Sequence, residues 1–249
     1  MLKIYIDKQI EWKVIDLVLF GSIVNGLGII LGTMIGLLLR KIPDQMKQTV
    51  MTAIGLSVVV LGLDMALKSE DFFFVIVSLV IGTVIGEWVK LEDHLHGLGN
   101  LLEKKIGKSQ TGNIAQGFVT ATLIFVVGAM AIIGALDSGL RQDHSVLLTK
   151  SMIDGFTSMV LASTLGIGVL FSAIPVFLYQ GGIALFANVI HQFLSDSLLE
   201  RLIAELTAIG GVLIIAIGIN ILGLKQIKVA NLLPSILIIT VIVLIQYHV

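Results

Sequence analysis

The feature that most constrains this chain is a series of apolar segments, each about as long as a lipid bilayer is thick. A helix rises about 1.5 Å per residue, so roughly 20 apolar residues cross a hydrocarbon core of about 30 Å. The charged residues 1–16 are predicted to be an N-terminal extension. Eight transmembrane segments are predicted, at about 17–39, 48–67, 72–90, 114–136, 147–172, 174–194, 202–222 and 229–247.

The composition agrees with a membrane protein built from helices. Hydrophobic residues make up 56% of the chain and charged residues 13%, which lies outside the usual range of soluble domains. The predicted fold is all-α, with residues 17–249 forming a single transmembrane helix bundle. Only residues 172–175 separate the fifth segment from the sixth, so a seven-helix bundle with one re-entrant piece is the alternative.

The longest polar connection, residues 90–113, is predicted to contain a helix that lies on the membrane surface. Between about 91 and 106, leucine and isoleucine recur at spacings of three and four residues, as in an amphipathic helix. Its two histidines, His94 and His96, have no third metal ligand nearby, which favours a solvated face over a metal site. Lys and Arg are more numerous after the odd-numbered segments, which predicts that both termini lie outside the cytoplasm.

Charge and residue content argue against several kinds of function. The net charge is −1, and Lys and Arg form no stripe that would neutralise phosphates, so nucleic acid is not an expected partner. The chain has no cysteine, so thiol catalysis and thiolate metal sites are excluded. Leu61 to Asp64 lacks one glycine of the Gly-x-Gly-Asp motif of intramembrane aspartyl proteases, and no His-Glu-x-x-His is present. Neither an enzyme nor a bound cofactor is expected.

The order of residues at two places predicts an internal repeat. RKIPDQMKQTVMTAIG, which ends at Gly55, resembles SDSLLERLIAELTAIG, which ends at Gly210, and at the same offset Asn25 aligns with Gln180. In an eight-helix bundle the two copies would cross the membrane in opposite directions, as in many secondary transporters. The predicted units are repeat A at about 17–90, the central helices at 114–172 and repeat B at about 174–247.

The residue of greatest functional interest is Asp154, in the stretch KSMIDGFTSMVLAST. An aspartate at the centre of a membrane helix costs about 2.5 to 3.5 kcal/mol. One interpretation is an ion pair with Lys150 near the membrane edge. The other is a polar path in which Asp154 binds a cation or a proton. The hydroxyl and amide side chains expected to contribute to that path are Ser158, Thr120, Thr122, Ser163, Thr164, Asn25 and Gln180.

Small residues predict close contacts between helices. Glycines recur every four residues at Gly28, Gly32 and Gly36, and again at Gly82 and Gly86. These contacts are predicted within or between subunits, so a homo-oligomer through the glycine-rich helices is one expectation. The stretch ASTLGIG, residues 162–168, is predicted either to unwind and expose carbonyl groups or to let helices approach closely.

Four stretches of the sequence resemble an uncharacterised family of bacterial membrane proteins, the family that includes YqgA and YdfK. The resemblance implies a multi-pass protein of the plasma membrane, sometimes described as a transporter, with no established substrate. Many members carry cysteine where this chain has Val126, so a mechanism that needs that thiol would not operate here. The four stretches are LFGSIVNGLGIILGTMIGLLL, GFVTATLIFVVGAMAIIGALDSGL, KSMIDGFTSMVLASTLGIGVLFSAIPVFLYQGG and NLLP.

Together these features predict a secondary transporter or ion-coupled carrier for a small solute or ion, with alternating access about a polar site at the membrane midplane. Hydroxyl and carbonyl oxygens suit a hard ion, so Na⁺ or H⁺ is expected as the coupling ion. An ion channel is the first alternative, and it would need a continuous polar stripe along one helix. A noncatalytic membrane scaffold or sensor is the second, and it would need a larger interaction surface than residues 91–106.

Overall fold

The apolar runs form helices because lipid offers no hydrogen-bond partner to a free peptide group. The structure is a computed structural model that describes residues 2–38, 44–94, 97 and 114–248, and within those ranges it contains helices and no strand. A short 3₁₀ helix, Val229–Leu232, precedes the last α-helix. The α-helices are α1 (Leu2–Leu38), α2 (Asp44–Ala66), α3 (Phe72–Val89), α4 (Ile114–Val126), α5 (Ala129–Arg141), α6 (Ser145–Leu165), α7 (Gly168–Phe171), α8 (Ala173–Phe193), α9 (Asp196–Ile221) and α10 (Pro234–His248).

Length and composition show which parts of the described chain can cross a membrane. The bent pair of α4 and α5 would add a sixth span to five straight ones. In α2 the apolar part, Met51–Ala66, is shorter than these spans, and α6 is less apolar because it carries Lys150 and Asp154. The counts of eight and of seven helices therefore both stay predictions. The five straight spans are Val18–Leu38, Phe72–Val89, Gly168–Phe193, Asp196–Ile221 and Val229–Tyr247.

Two of the predicted segments are interrupted. The fourth, expected to be continuous over 114–136, consists of α4 and α5, which meet at an angle of 61°. Gly128 at this bend has a φ of 141°, which glycine adopts because it has no Cβ. The fifth segment ends at Leu165 and not near residue 172, since Gly166 has a φ of 89°. Within the stretch 162–168, the helix is thus broken at its first glycine, while Ser163 and Thr164 stay helical.

The two polar regions that flank the predicted repeat A are described only in part. Residues 2–16 of the predicted N-terminal extension continue α1 as helix. The predicted surface helix at 91–106 lies mostly outside the described residues, although 91–94 are helical. His94 there is exposed, with Nδ1 2.9 Å from the carbonyl oxygen of Lys90.

Glycines let α1 pack along α6. A Cβ added at Gly28 would lie 2.8 Å from the carbonyl oxygen of Ser151, and one at Gly32 would collide with the carbonyl of Gly155. Residue numbers rise together on both helices, so α1 and α6 run parallel. The prediction that these glycines serve close helix contact is confirmed. The contact lies inside one chain, so a homo-oligomer stays a prediction and would have to use other faces of α1.

The second helix of each predicted repeat packs against its counterpart. A Cβ added at Gly62 on α2 would lie 2.7 Å from the carbonyl oxygen of Gly211 on α9, and one at Gly218 would lie 3.0 Å from that of Gly55. Residue numbers rise along α2 as they fall along α9, so the two helices are antiparallel. Over these two matching contacts, each helix contributes one glycine Cα and one carbonyl oxygen.

The third helices of the two predicted repeats pack against each other in opposite directions, and so do the first helices. Gly82 and Gly86 on α3 press against Ser235 and Asn231, so α3 is antiparallel to α10. On the other side of the bundle, α1 packs against α8. Every counterpart pair is therefore in contact. The inverted repeat also requires that the two sets of helices superpose, and it stays a prediction.

Candidate functional site

Asp154 occupies the middle of α6, with nearly equal lengths of helix before and after it. Its side chain is buried, at 3% exposure. The next residue, Gly155, has no side chain to hold α1 away, so the backbones of α1 and α6 approach closely at this level. The depth of Asp154 in the membrane stays a prediction, because Ser145–Leu165 is not among the candidate spans of the described chain.

Both carboxylate oxygens of Asp154 accept a hydrogen bond. Lys150, one turn earlier on α6, donates from Nζ to Oδ1 at 2.9 Å, and Asn25 on α1 donates from Nδ2 to Oδ2 at 3.0 Å. Lys150 is buried as well. The predicted ion pair is thus present, but it is buried and carries an additional amide partner. Charge-assisted hydrogen bonds of this kind offset part of the cost of removing two charges from water.

The amide of Asn25 connects this ion pair to Gln180 on α8. A carboxylate only accepts hydrogen bonds, so Asn25 must turn its nitrogen toward Asp154. The same nitrogen donates to Oε1 of Gln180 at 3.1 Å. Asn25 Oδ1 and Gln180 Nε2 are then left without a hydrogen-bond partner, and both side chains are fully buried. One buried acceptor and one buried donor, on adjacent amides, are thus unpaired among the described residues.

We call Asn25, Lys150, Asp154 and Gln180 the polar cluster. It joins three helices, α1, α6 and α8, that are far apart in sequence. Three of its members were expected from the sequence to share a site, and the fourth was expected as the ion-pair partner. The side chains of the polar cluster are neutral in sum when the lysine and the aspartate are both charged.

The other predicted site residues on α6 use their hydroxyls locally. Ser158 Oγ lies one turn beyond Asp154, within 3.1 Å of the Ile29 carbonyl oxygen on α1 and 2.9 Å of the Gly155 carbonyl oxygen. Ser163 and Thr164 donate to carbonyl oxygens of their own helix. Ser158 therefore supports the contact between α1 and α6 next to the polar cluster, whereas Ser163 and Thr164 do not reach it.

The two threonines of α4 also lie apart from the polar cluster. Thr122 Oγ1 is buried without a hydrogen-bond partner. Thr120 lines a separate cavity of about 250 Å³ at the end of the bundle where α4, α9 and the 3₁₀ helix meet. The polar residues that line this cavity include Glu92, Gln116, Asn220 and Gln226.

A second polar group, which the sequence interpretation missed, lies toward the turn between α5 and α6. His144 Nδ1 is 3.0 Å from Ser138 Oγ, and the ring lies against Phe20. Ser138 is fully buried beside Gly21. The neighbouring Ser22 is fully buried too, and its hydroxyl has no hydrogen-bond partner. The spacing of three residues between Ser22 and Asn25, which places both on one helical face, was the available signal.

The sequence interpretation also missed a buried carboxylate, Glu205 on α9. It accepts hydrogen bonds from Ser69 Oγ at 2.7 Å and from the backbone N–H groups of Glu70 and Asp71 at 2.9 and 3.3 Å. These donors lie in the turn that precedes α3. Glu205 thus ties α9 to the start of α3, and all of its described contacts are structural.

Comparisons with known proteins agree with the expected kind of protein. A family model described as "Protein of unknown function (DUF554)" matches residues 20–244. The chain is 40% identical over 225 residues to "Uncharacterized membrane protein YdfK" of Bacillus subtilis (strain 168), which covers 88% of this chain and 93% of the relative. It is 29% identical over 223 residues to "Uncharacterized protein YqgA" of Escherichia coli (strain K12), with the same coverage of 88% and 93%. No solved structure gives a significant match.

Proposed function

The chain belongs to the DUF554 family and is a multi-pass membrane protein, and from this premise we propose that it is a secondary transporter or ion-coupled carrier for a small solute or ion. The observation that carries the proposal is the contact of Asn25 with both Gln180 and the buried Asp154. The polar cluster is the proposed binding site. We place the protein in the bacterial plasma membrane with both termini outside the cytoplasm.

The first support is the cost of the polar cluster. A buried ion pair contributes little net stability, and apolar residues of similar size are often as stable in its place. Ionisable residues inside membrane helices are accordingly rare and commonly serve ion or substrate pathways. The Lys150–Asp154 pair is therefore better explained by a function than by stability.

The second support is the arrangement of the helices around the polar cluster. In an inverted repeat, Asn25 and Gln180 are equivalent positions, and two equivalent residues in contact lie beside the axis that relates the repeats. A site on that axis has the same depth in outward-facing and inward-facing states, which is the geometry of alternating access. The antiparallel contacts of α2 with α9 and of α3 with α10 agree with such an axis.

The third support is the two interrupted helices. Gly128 and Gly166, both with positive φ, interrupt two apolar segments, and irregular backbone at membrane depth is tolerated where protein or a water-filled cavity surrounds it. In the proposed mechanism these bends act as hinges, and α6 moves relative to α1 and α8 when an ion binds Asp154. The solute would bind where the unpaired atoms Asn25 Oδ1 and Gln180 Nε2 lie.

A thermal-shift titration tests the binding site. The purified protein is heated in detergent with Na⁺, K⁺ or Li⁺ and at a series of pH values, because a ligand that binds only the folded state raises its apparent stability. We expect one ion to stabilise the wild type and the control Ser163→Ala, and not Asp154→Asn. Equal responses in all three proteins would contradict the proposal.

A flux assay tests transport itself. The same three proteins are reconstituted into liposomes, and gradients of the ion found in the titration are imposed while charge movement and internal pH are recorded. We expect ion movement in the wild type and in Ser163→Ala, and a loss in Asp154→Asn. Wild-type vesicles that behave as empty liposomes under every gradient and with solutes from several chemical classes would contradict a transporter.

A further inference from the structure

We propose that the ion bound by the polar cluster is a proton, that it binds Asp154, and that it arrives from the turn between α5 and α6 through His144 and Ser138. This inference rests on the proposed function, because it identifies the coupling ion of the same site. It selects H⁺ from the two ions that the sequence left open.

The first argument is that Lys150 occupies the place of a metal cation. Its ammonium nitrogen lies 2.9 Å from Oδ1 of Asp154, about as close as a cation can come to a carboxylate. A sodium ion bound to the same carboxylate would lie roughly 4 Å from this ammonium group. Two like charges at about 4 Å repel each other by about 4 kcal/mol at an effective dielectric constant of 20. A proton meets the same repulsion, but it bonds directly to the carboxylate oxygen and needs no space beside the ammonium group, whereas a metal cation does.

The second argument is the number of oxygen ligands. A hard metal cation takes about six oxygen ligands. The hydroxyls of Ser163 and Thr164 donate to their own helix, and Thr120 lines a different cavity. In the polar cluster, Asn25 Oδ1 is the oxygen left without a hydrogen bond. A proton needs a single oxygen, which Asp154 itself supplies.

The proton step is simple to balance. A proton from the aqueous phase forms one O–H bond with Asp154, and no other covalent bond changes. Neutral Asp154 then accepts weaker hydrogen bonds from Lys150 and from Asn25. The attraction that holds α6 against α1 at this level is reduced, so proton binding loosens the contact that must change in the transport cycle. Release of the proton to water on the other face restores the ion pair.

The route to Asp154 follows from the buried hydroxyls. His144 is half-buried at the start of α6, and Asp154 lies roughly 15 Å further along that helix. His144 contacts Ser138, and Ser138 lies against Gly21. The residue after Gly21 in the sequence is Ser22, whose buried hydroxyl has no hydrogen-bond partner. Asn25 is one turn beyond Ser22. Histidine side chains commonly act as proton shuttles, so half-buried His144 suits the aqueous end of this route.

Other titratable residues lie on the elements that pack against α6. The charged residues of α1 all precede Val18, and α4 and α7 have none in their sequence. A backbone hydrogen bond from Ser145 holds the pKa of Asp143 below its ordinary value of 3.8, so this turn residue titrates apart from the range near neutral pH. The remaining titratable residues on the neighbouring elements are Asp44, Lys47 and Asp64 on α2, Asp137 and Arg141 on α5, and Tyr179 and His191 on α8.

Infrared spectroscopy with a pH titration tests the equilibrium part of the proposal. The carbonyl band of a protonated aspartate is followed in the wild type with and without sodium chloride, with isotope-labelled aspartate to assign it. We expect a band that is absent in Asp154→Asn, loses its isotope shift in Asp154→Glu, and does not respond to Na⁺. Two variants are used because one of the substitutions could by itself prevent folding. Absence of the band in the wild type at every pH, or its removal by Na⁺, would overturn the proton site.

A pH-jump measurement tests the access route. The same band is followed in time after rapid acidification of the wild type, His144→Gln and the control His191→Gln, an exposed histidine at the end of α8. We expect proton uptake to slow by roughly tenfold or more in His144→Gln, with an unchanged titration midpoint, and no slowing in His191→Gln. Equal rates in all three proteins would overturn His144 as the access residue.

These results separate the proton inference from the proposed function. If Asp154 takes up a proton while the reconstituted protein moves neither charge nor solute, transport is wrong and the proton site stands. If vesicles show transport that depends on Na⁺ and the carboxyl band disappears with Na⁺, transport stands and the proton inference is wrong.

Discussion

Asn25 and Gln180 hydrogen-bond to each other across the contact between α1 and α8, although 155 residues separate them in the chain. Asp154 hydrogen-bonds to Asn25, and the nitrogen of Gln180 stays unpaired. In this structure Asp154 therefore hydrogen-bonds to the amide of Asn25 and not to that of Gln180. In a transporter with two equivalent repeats, the opposite state would place the carboxylate near Gln180, whose unpaired N–H group is a ready donor.

This inequality predicts different effects for two similar substitutions. Asn25→Leu removes a donor from the buried carboxylate, so we expect a loss of about 1 to 3 kcal/mol in unfolding free energy. Gln180→Leu removes only an acceptor from Asn25, so we expect a smaller loss. Unfolding of both purified variants by a denaturant measures the difference. Equal losses would show that Asp154 does not distinguish the two amides.

The ion pair predicts a strong interaction between two substitutions. Lys150→Met leaves Asp154 buried without its cation, and breaking a buried pair in this way costs about 3 to 5 kcal/mol. Adding Asp154→Asn should recover much of that loss. The matched control is Lys68→Met, because Lys68 forms an exposed pair with Asp64 at the same spacing, and such pairs contribute about 0 to 1 kcal/mol. Additive losses in the double variant would contradict a coupled pair.

The contact between α1 and α6 predicts opposite results for two Gly→Ala substitutions. A methyl group at Gly32 collides with the Gly155 carbonyl, whereas one at Gly182 on α8 meets no atom within 4 Å. We expect Gly32→Ala to lower the unfolding temperature and Gly182→Ala to leave it unchanged or raise it, since alanine favours a helix by about 0.5 to 1 kcal/mol over glycine. A tolerated Gly32→Ala would mean that α1 and α6 are not this close.

The absence of cysteine from the sequence allows a direct test of the contact between α1 and α8. A Cβ added at Gly26 lies 3.9 Å from the Cβ of Phe177, within the range of about 3.5 to 4.5 Å found in disulfides. We expect Gly26→Cys with Phe177→Cys to form a disulfide under mild oxidation, visible as a reducible mobility shift after cleavage between the helices. Gly26→Cys with Gly182→Cys is the control. Failure of the first pair to cross-link would contradict this contact.

Glu205 predicts a local effect at the start of α3. Glu205→Ala leaves the N–H group of Glu70 without its acceptor, whereas that of Asp71 keeps Ser69 Oγ at 3.1 Å, and we expect a loss of about 1 to 3 kcal/mol. Glu205→Gln keeps one acceptor oxygen and should lose less. Hydrogen exchange at residue 70 measures the effect at the site. Unchanged exchange there in Glu205→Ala would show that the Glu70 amide has another acceptor.

The sequence alone identified the kind of protein and the centre of the candidate site. Long apolar runs lead to helices because lipid cannot pair a free peptide group, and a charge within such a run is costly enough to be conspicuous. Asp154, Asn25 and Gln180 could be proposed together because the first is a charge in an apolar segment and the other two occupy equivalent positions of the predicted repeat. Both signals are readable along the chain without knowledge of how the helices pack.

Only the tertiary structure decided which polar side chains meet. Ser158, Ser163 and Thr164 look alike in the sequence, yet their hydroxyls bond to different carbonyls and only Ser158 reaches another helix. Successive residues of a helix point about 100° apart, so a small rotation of a helix changes which side chain faces a neighbour. That rotation is set by long-range contacts such as those of Gly28 and Gly32 with α6. The bend at Gly128, the bond from His144 to Ser138 and the role of Glu205 depend on the same contacts, and a local pattern does not contain them, whereas the break at Gly166 lies in a stretch whose glycines had indicated it.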